Sequence, residues 1–210
     1  MKKVTSFLVL AAALLVAGNA HAQLGINIGY APDNITTTTK NSNSNLPMTG
    51  FFAGVNYNHA LSGNIGISFG AQLRYNTKKT TSTVLSATTT TTHTQLLLDI
   101  PVLLNFSIPF GNDASLALYA GPTLTYALKG STNTKGSESI SGLSGEGTYN
   151  WYGENSNRKQ FDLLGTFGAA FNYKNIRLFG GYRLGLLDLD KSDNVTVKTS
   201  GLFFGLGYKL

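Results

Sequence analysis

From residue 23 onward apolar and polar residues alternate with a period of two. Over 65–75, for example, Ile65, Ile67, Phe69, Ala71, Leu73 and Tyr75 share one face, and Gly66, Ser68, Gly70, Gln72 and Arg74 share the other. Strict alternation of this kind predicts a β-strand with one apolar side. Eight segments read this way, with apolar faces that begin at Leu24, Phe51, Ile65, Leu96, Leu116, Phe161, Ile176 and Leu202. None of these faces carries Asp, Glu, Lys or Arg. The opposite faces hold Arg74, Asp99, Lys129, Asp162, Arg177, Arg183 and Lys209 among many Gly, Asn, Ser and Thr.

The connections alternate as well. Ser62-Gly63-Asn64, Gly111-Asn112-Asp113 and Lys174-Asn175 are short turn signals. Between them lie long polar stretches at 32–47, 76–93, 130–159 and 188–199, which read as loops. An up-and-down barrel of an outer membrane has this arrangement, with tight turns toward the periplasm and long loops outside. A strand that crosses a bilayer at a tilt needs about 10 residues, against roughly 5–6 in soluble sheets. Several apolar runs here reach 11 to 13. Glycine recurs on the polar side, as a narrow lumen requires. The expectation is an all-β protein: an eight-stranded antiparallel up-and-down transmembrane β-barrel, apolar toward lipid and polar toward the lumen. Tyr30, Tyr57, Tyr75, Tyr126, Tyr173 and Tyr208 lie near the ends of apolar faces, where rings anchor at headgroup level. Pro101 and Pro122 sit inside apolar runs and predict β-bulges, because proline donates no ladder hydrogen bond.

The first 22 residues depart from this pattern. Lys2 and Lys3 precede the apolar run 7–16, and Ala20-His21-Ala22 offers small residues for a signal peptidase. The expected division is a cleaved leader over 1–22 and a barrel domain over 23–210, exported through the general secretory pathway to the outer membrane of a Gram-negative bacterium. Loss of the two lysines takes the net charge from +6 to +4. The charged fraction is 12%, against about 25% in soluble proteins. There is no cysteine, which excludes disulfides, thiolate metal sites and a cysteine nucleophile. Basic residues are dispersed rather than clustered, so nucleic acid is not an expected partner despite a pI near 9.5.

At this point the chain resembles a known family. The segments Leu97-Leu98-Asp99-Ile100-Pro101-Val102-Leu103-Leu104 and Tyr119-Ala120-Gly121-Pro122 carry the likeness, together with the leader and the final strand Phe203-Phe204-Gly205-Leu206-Gly207-Tyr208-Lys209-Leu210. They are similar to the porin-like outer-membrane β-barrel family of Bacteroidota, a PorT-like group of OmpX-like shape. The resemblance implies that Gly205, Tyr208 and Leu210 form a signal read by the barrel-assembly machinery. Phe203 stands where a polar residue is usual, and the chain ends in Leu rather than Phe. The resemblance also implies a component of a secretion or gliding apparatus. The leading expectation is a structural, surface-interaction scaffold that displays four extracellular loops around a closed, side-chain-filled lumen, with a narrow porin-like transporter of small solutes as a further alternative.

Candidate chemistry is sparse. A His–Ser pairing of the kind a lipid deacylase uses is missing, since His93 is followed by Thr94 and Gln95. No catalytic, cofactor-binding or metal-binding residues are expected. Arg74 and Asp99 stand at matching heights on adjacent strands and predict a pair inside the barrel, with Asp162, Arg177 and Arg183 joining a charge network lower down and across. Tyr149, Trp151 and Tyr152 cluster in the third loop as candidates for contact with a glycan, a protein partner or lipid. Bases at the rim, Lys78 and Lys79 among them, are candidates for the phosphates of lipopolysaccharide.

Overall fold

The computed structural model describes residues 22–84, 87–138, 144–153, 156–192 and 194–210. The leader expected over 1–22 lies outside the described residues, except for Ala22. Ten strands follow in order: β1 Ala22–Tyr30, β2 Asp33–Thr39, β3 Ser42–Ser62, β4 Ile65–Val84, β5 Ala87–Phe110, β6 Ala114–Glu138, β7 Ser144–Asn150, β8 Phe161–Tyr173, β9 Ile176–Gly185 and β10 Val195–Lys209. All form one antiparallel sheet.

Ten strands make eight staves. β1 and β2 both pair with β3 and with β10, and each register continues unchanged across the break. Ala31 still donates to the carbonyl of Gly50 at 2.8 Å, so the stave is interrupted only where Pro32 has no N–H to give. β7 pairs with β6 alone and stands outside the ring. The ring runs β1/β2, β3, β4, β5, β6, β8, β9, β10 and closes from β10 onto β1 and β2. No helix among the described residues is long and apolar enough to cross a membrane; strands make the crossing.

The faces sort as the alternation predicts. Ile28, Leu104, Leu202 and Phe204 point outward at 57–63% exposure, while Arg74, Asn76 and Asp99 inside are fully buried. Tyr75, Tyr173 and Tyr208 are exposed at the margins of the outer apolar belt. The short turns fall at the expected places, with Gly63 and Gly111 in the left-handed region (φ 54° and 71°) that a side chain resists. Both ends of the described chain lie on the side of these turns, which is the periplasmic side in such a barrel.

Three expectations need correction. The polar stretches read as loops are largely strand: β4 and β5 stay paired out to Val84 and Ala87, and β5 and β6 to Ala87 and Glu138. Threonine explains this. It is β-branched and favours strands, and its hydroxyls pair across the ladder, as at Thr81–Thr90 (3.4 Å) and Thr83–Thr88 (3.3 Å). Beyond the bilayer both faces meet water, so the hydropathy alternation that marks a strand disappears while the strand goes on. Second, Pro101 and Pro122 do not shift the register. The ladder skips the pairs between Pro101↔Thr123 and Leu104↔Ala120 and resumes in the same register. The bulges lie instead at Leu96/Leu97 and at Ala60/Ser62. Third, the bulge opposite Leu96/Leu97 leaves Leu128 and Lys129 exposed in succession, so Lys129 does not face the lumen.

Candidate functional site

The lumen is filled in layers. Nearest the periplasm its wall is polar. Above that lies an aromatic layer of Phe52, Tyr119, Phe179 and Phe203, closed by Ala117 and Ala170. Ring centroids are 6.0 Å apart for Phe52–Phe179 and 6.4 Å for both Phe179–Phe203 and Tyr119–Phe203, in tilted arrangements that ring quadrupoles favour. The Tyr119 hydroxyl donates to the carbonyl of Gly180 at 2.9 Å. Facing glycines make room for the rings: a Cβ on Gly168 would lie 2.6 Å from the Tyr119 hydroxyl. Arginines lie against the layer, Arg177 over Tyr119 and Phe179 (5.6 Å each) and Arg183 over Phe203 (5.3 Å).

A closed ring of four charges joins different staves in the lumen. Arg74 on β4 donates through Nε to Asp99 Oδ2 at 2.8 Å and through Nη2 to Asp99 Oδ1 at 3.0 Å, a bidentate fork. Its Nη1 bonds Asp33 at the head of β2. Arg183 on β9 reaches both acids from the far wall, at 3.3 Å to Asp99 and 3.4 Å to Asp33. Remaining carboxylate lone pairs are taken by Thr125, at 2.7 Å to Asp99, and by Asn76, at 2.6 Å to Asp33. Two acids and two bases therefore neutralise each other with almost every donor used. Desolvated charges require this, because an unpaired buried ion costs several kcal/mol.

The outer mouth carries a second apolar cluster: Trp151, Ile35, Met48, Leu189 and Val197, flanked by Tyr152. Trp151 Nε1 donates to Thr132 Oγ1 at 2.7 Å, the same hydroxyl that His93 Nδ1 contacts at 2.9 Å. The His93 ring lies tilted against Trp151, with centroids 5.9 Å apart, and Arg158 lies 4.7 Å from the indole centroid. Gln95 donates to the Tyr152 hydroxyl at 2.6 Å, tying this cap to the lumen wall. Burial, and then the Arg158 charge, hold the His93 pKa below its ordinary 6.5.

Of the five interior charges singled out by sequence, Arg74, Asp99 and Arg183 are brought together. Asp162 is buried across the strand pair from Thr125, with Oδ1 lacking a partner, and makes none of these ion pairs. Arg177 lies apart, on the aromatic layer. Asp33, read as a loop acid, is a correction: it is 3% exposed and completes the ring. The signal was present, since Gly25, Asn27, Gly29 and Ala31 lead to it in one register once Pro32 is carried through. The loop aromatics divide. Tyr149 is presented to the outside, whereas Trp151 is buried and Tyr152 turns inward, so neither is free for a surface contact. In β10, Gly205 faces the lumen, where a Cβ would lie 2.5 Å from the carbonyl of Ile28; Tyr208 faces outward, and Leu210, just past the strand, is exposed. Among the described residues no group of three or more His, Cys, Asp or Glu is placed to hold a metal ion.

A family model described as an outer membrane protein beta-barrel domain matches residues 18–191. No curated protein matches the chain. Similar solved structures include Ail, the attachment invasion locus protein of Yersinia pestis (17% identity, TM-score 0.44, covering 90% of this chain and 99% of that one). Neisserial surface protein A has 13% identity and a TM-score of 0.33, over 88% and 97% of the two chains. The N-terminal barrel of Pseudomonas aeruginosa OprF has 9% identity and a TM-score of 0.31, over 90% and 99%.

Two outcomes follow from the geometry. Arg74→Met leaves two buried carboxylates facing one guanidinium and lowers unfolding stability by about 3–5 kcal/mol, read from urea titration in lipid vesicles. Adding Asp99→Leu, which restores one acid to one base, recovers a large part of that loss. The second concerns acid. Because the folded His93 pKa is depressed, the unfolded cap takes up the proton first as pH falls below 6.5, and cap stability then declines down through the folded value. Trp151 is the one tryptophan of the chain, so its emission shifts to the red as the pH falls below 6.5, and His93→Gln removes the shift.

Proposed function

The chain belongs to the outer membrane protein β-barrel domain family, and from that membership we propose that it is a non-enzymatic surface scaffold with a sealed lumen. It resides in the outer membrane of a Gram-negative bacterium. The observation that carries the proposal is the sequence of fillings along one axis: aromatic rings, then the four-charge ring, then the Trp151 cap. An eight-stranded ring has little room inside beyond its own side chains, and from the aromatic layer outward these seal it. What remains functional on this reading is the set of threonine-rich strands that rise beyond the bilayer, with Tyr149 exposed on the one that β6 alone supports. A protein partner, on another surface or in a secretion or gliding assembly of the PorT-like Bacteroidota kind, would meet these strands. The barrel-assembly machinery would read Tyr208 and Leu210 from the lipid side. The imidazole of His93, bonded to Thr132 and packed at a tilt against Trp151, supports a non-catalytic reading.

Lipopolysaccharide is the proposed lipid partner. At the outer margin of the apolar belt a cleft of about 480 Å³ sets Arg158, Lys159 and Lys191, with one acid, Asp188, beside Tyr126, Phe161 and Leu187. Cations above and apolar groups below suit a phosphorylated amphiphile whose chains lie in the outer leaflet. Lys79, exposed on β4 beyond Tyr75, adds to the same basic rim.

Two measurements check these statements. Purified protein in planar bilayers gives no conductance steps of fixed size; regular steps would replace the sealed scaffold with the narrow transporter. Reversal of charge in Lys159→Glu/Lys191→Glu lowers co-purifying lipopolysaccharide phosphate by about tenfold, and an unchanged phosphate content removes the lipid contact from this cleft.

A further inference from the structure

The periplasmic end of the lumen is hollow. A cavity of about 290 Å³ opens there, bounded by the Gly63-Asn64 turn and the first residues of β9. By volume it holds roughly ten waters. Its wall is mixed, with Asn58, Asn105, Ser107 and Asn172 as its polar groups beside Ile65, Pro109 and Ala117. Its charge is of one sign: Arg177 and Lys209 line it, and no Asp or Glu does so among the described residues.

Among the described residues Arg177 makes no ion pair. Asp33 and Asp99 are engaged by Arg74 and Arg183, and Asp162 is on the membrane's outer side of the aromatic layer, where β8 begins. The Tyr119 and Phe179 rings lie against the guanidinium and leave its edges for hydrogen bonding. Nε on one edge is buried and has no partner. Lys209 follows Gly205 and Gly207 in the lumen-facing register of β10, and Gly207 pairs directly with Arg177. A guanidinium edge and an ammonium group thus converge on an open space that no described Asp or Glu lines.

We propose that this vestibule is a phosphate site, open to the periplasm, in which Arg177 donates from its free edge and Lys209 supplies a second charge. The ligand class is a phosphate group on a small polar body. A bidentate guanidinium contact and one lysine suit its oxygens, and 290 Å³ leaves space for little more. Two sources carry this chemistry: a soluble periplasmic phosphate compound and the headgroup of an inner-leaflet phospholipid.

The test is a titration of the full barrel with inorganic phosphate in maltoside micelles, followed by the side-chain Nε–Hε NMR signal of Arg177. The expected result is a saturable shift that sodium chloride at equal ionic strength does not produce. Lys209→Gln weakens it about tenfold, the loss of one charge-assisted contact, and Arg177→Gln removes the signal. Should Arg177→Gln fail to fold, as judged by heat-dependent electrophoretic mobility, the wild-type and Lys209→Gln titrations still decide. In phosphatidylglycerol nanodiscs, a retained response assigns the site to a soluble phosphate. A signal already shifted and unresponsive assigns it to the headgroup. A linear, non-saturating shift, or one that Lys209→Gln leaves unaltered, overturns the proposal.

Discussion

Inside hydrocarbon a free backbone N–H or C=O finds no water and costs several kcal/mol, so a sheet survives there only without an edge. The pairing of β10 with β1 and β2 removes that edge. Every other feature of the barrel answers to this closure. Because the ring is closed, each stave has one side toward lipid and one toward the lumen, and the period-two alternation becomes a partition between two solvents. Because the ring has eight staves, the lumen is narrow, and the side chains that enter it must fit one another as a core does.

The interior charges follow from the same narrowness. Arg74 is wholly excluded from solvent, and so is Asp99. Neither residue is tolerable alone, and the fork between them is completed by Asp33 and Arg183 from other staves. The ring of charges thereby ties β2, β4, β5 and β9 across the lumen, which neighbouring ladder pairs cannot do. It forms the floor beneath the Trp151 cap. Toward the periplasm the glycines become decisive: Gly168, Gly181 and Gly205 bring bare backbone against Tyr119, Phe203 and Phe179, so the aromatic layer fits a ring that would otherwise be overfilled.

Where two solvents meet a strand, its sequence announces it. The eight staves, their outward faces and the three short turns were legible for that reason, and Arg74 and Asp99 stood out as charges on faces otherwise neutral and small. Where one solvent meets both sides, the announcement fails. The threonine run 88–92 looks like a loop because no face of it is apolar, yet it pairs on both sides as strand. Asp33 was obscured by a single Pro32, which breaks a pattern in the sequence without breaking the register in space. Trp151 presents a different difficulty. Its partners Ile35, Met48, Leu189 and Val197 are far away along the chain, and no local pattern shows that they converge.

The central claim is that the first and last staves close the ring in one register, with Ile28 and Leu206 paired on the lipid side. The most direct measurement is disulfide formation in the cysteine-free background between Ile28→Cys and Leu206→Cys, with the protein folded in membranes. Efficient cross-linking of that pair is predicted, together with little for Asn27→Cys and Leu206→Cys, whose side chains lie on opposite faces. Equal cross-linking in both variants, or none in the first, would contradict the closed ring.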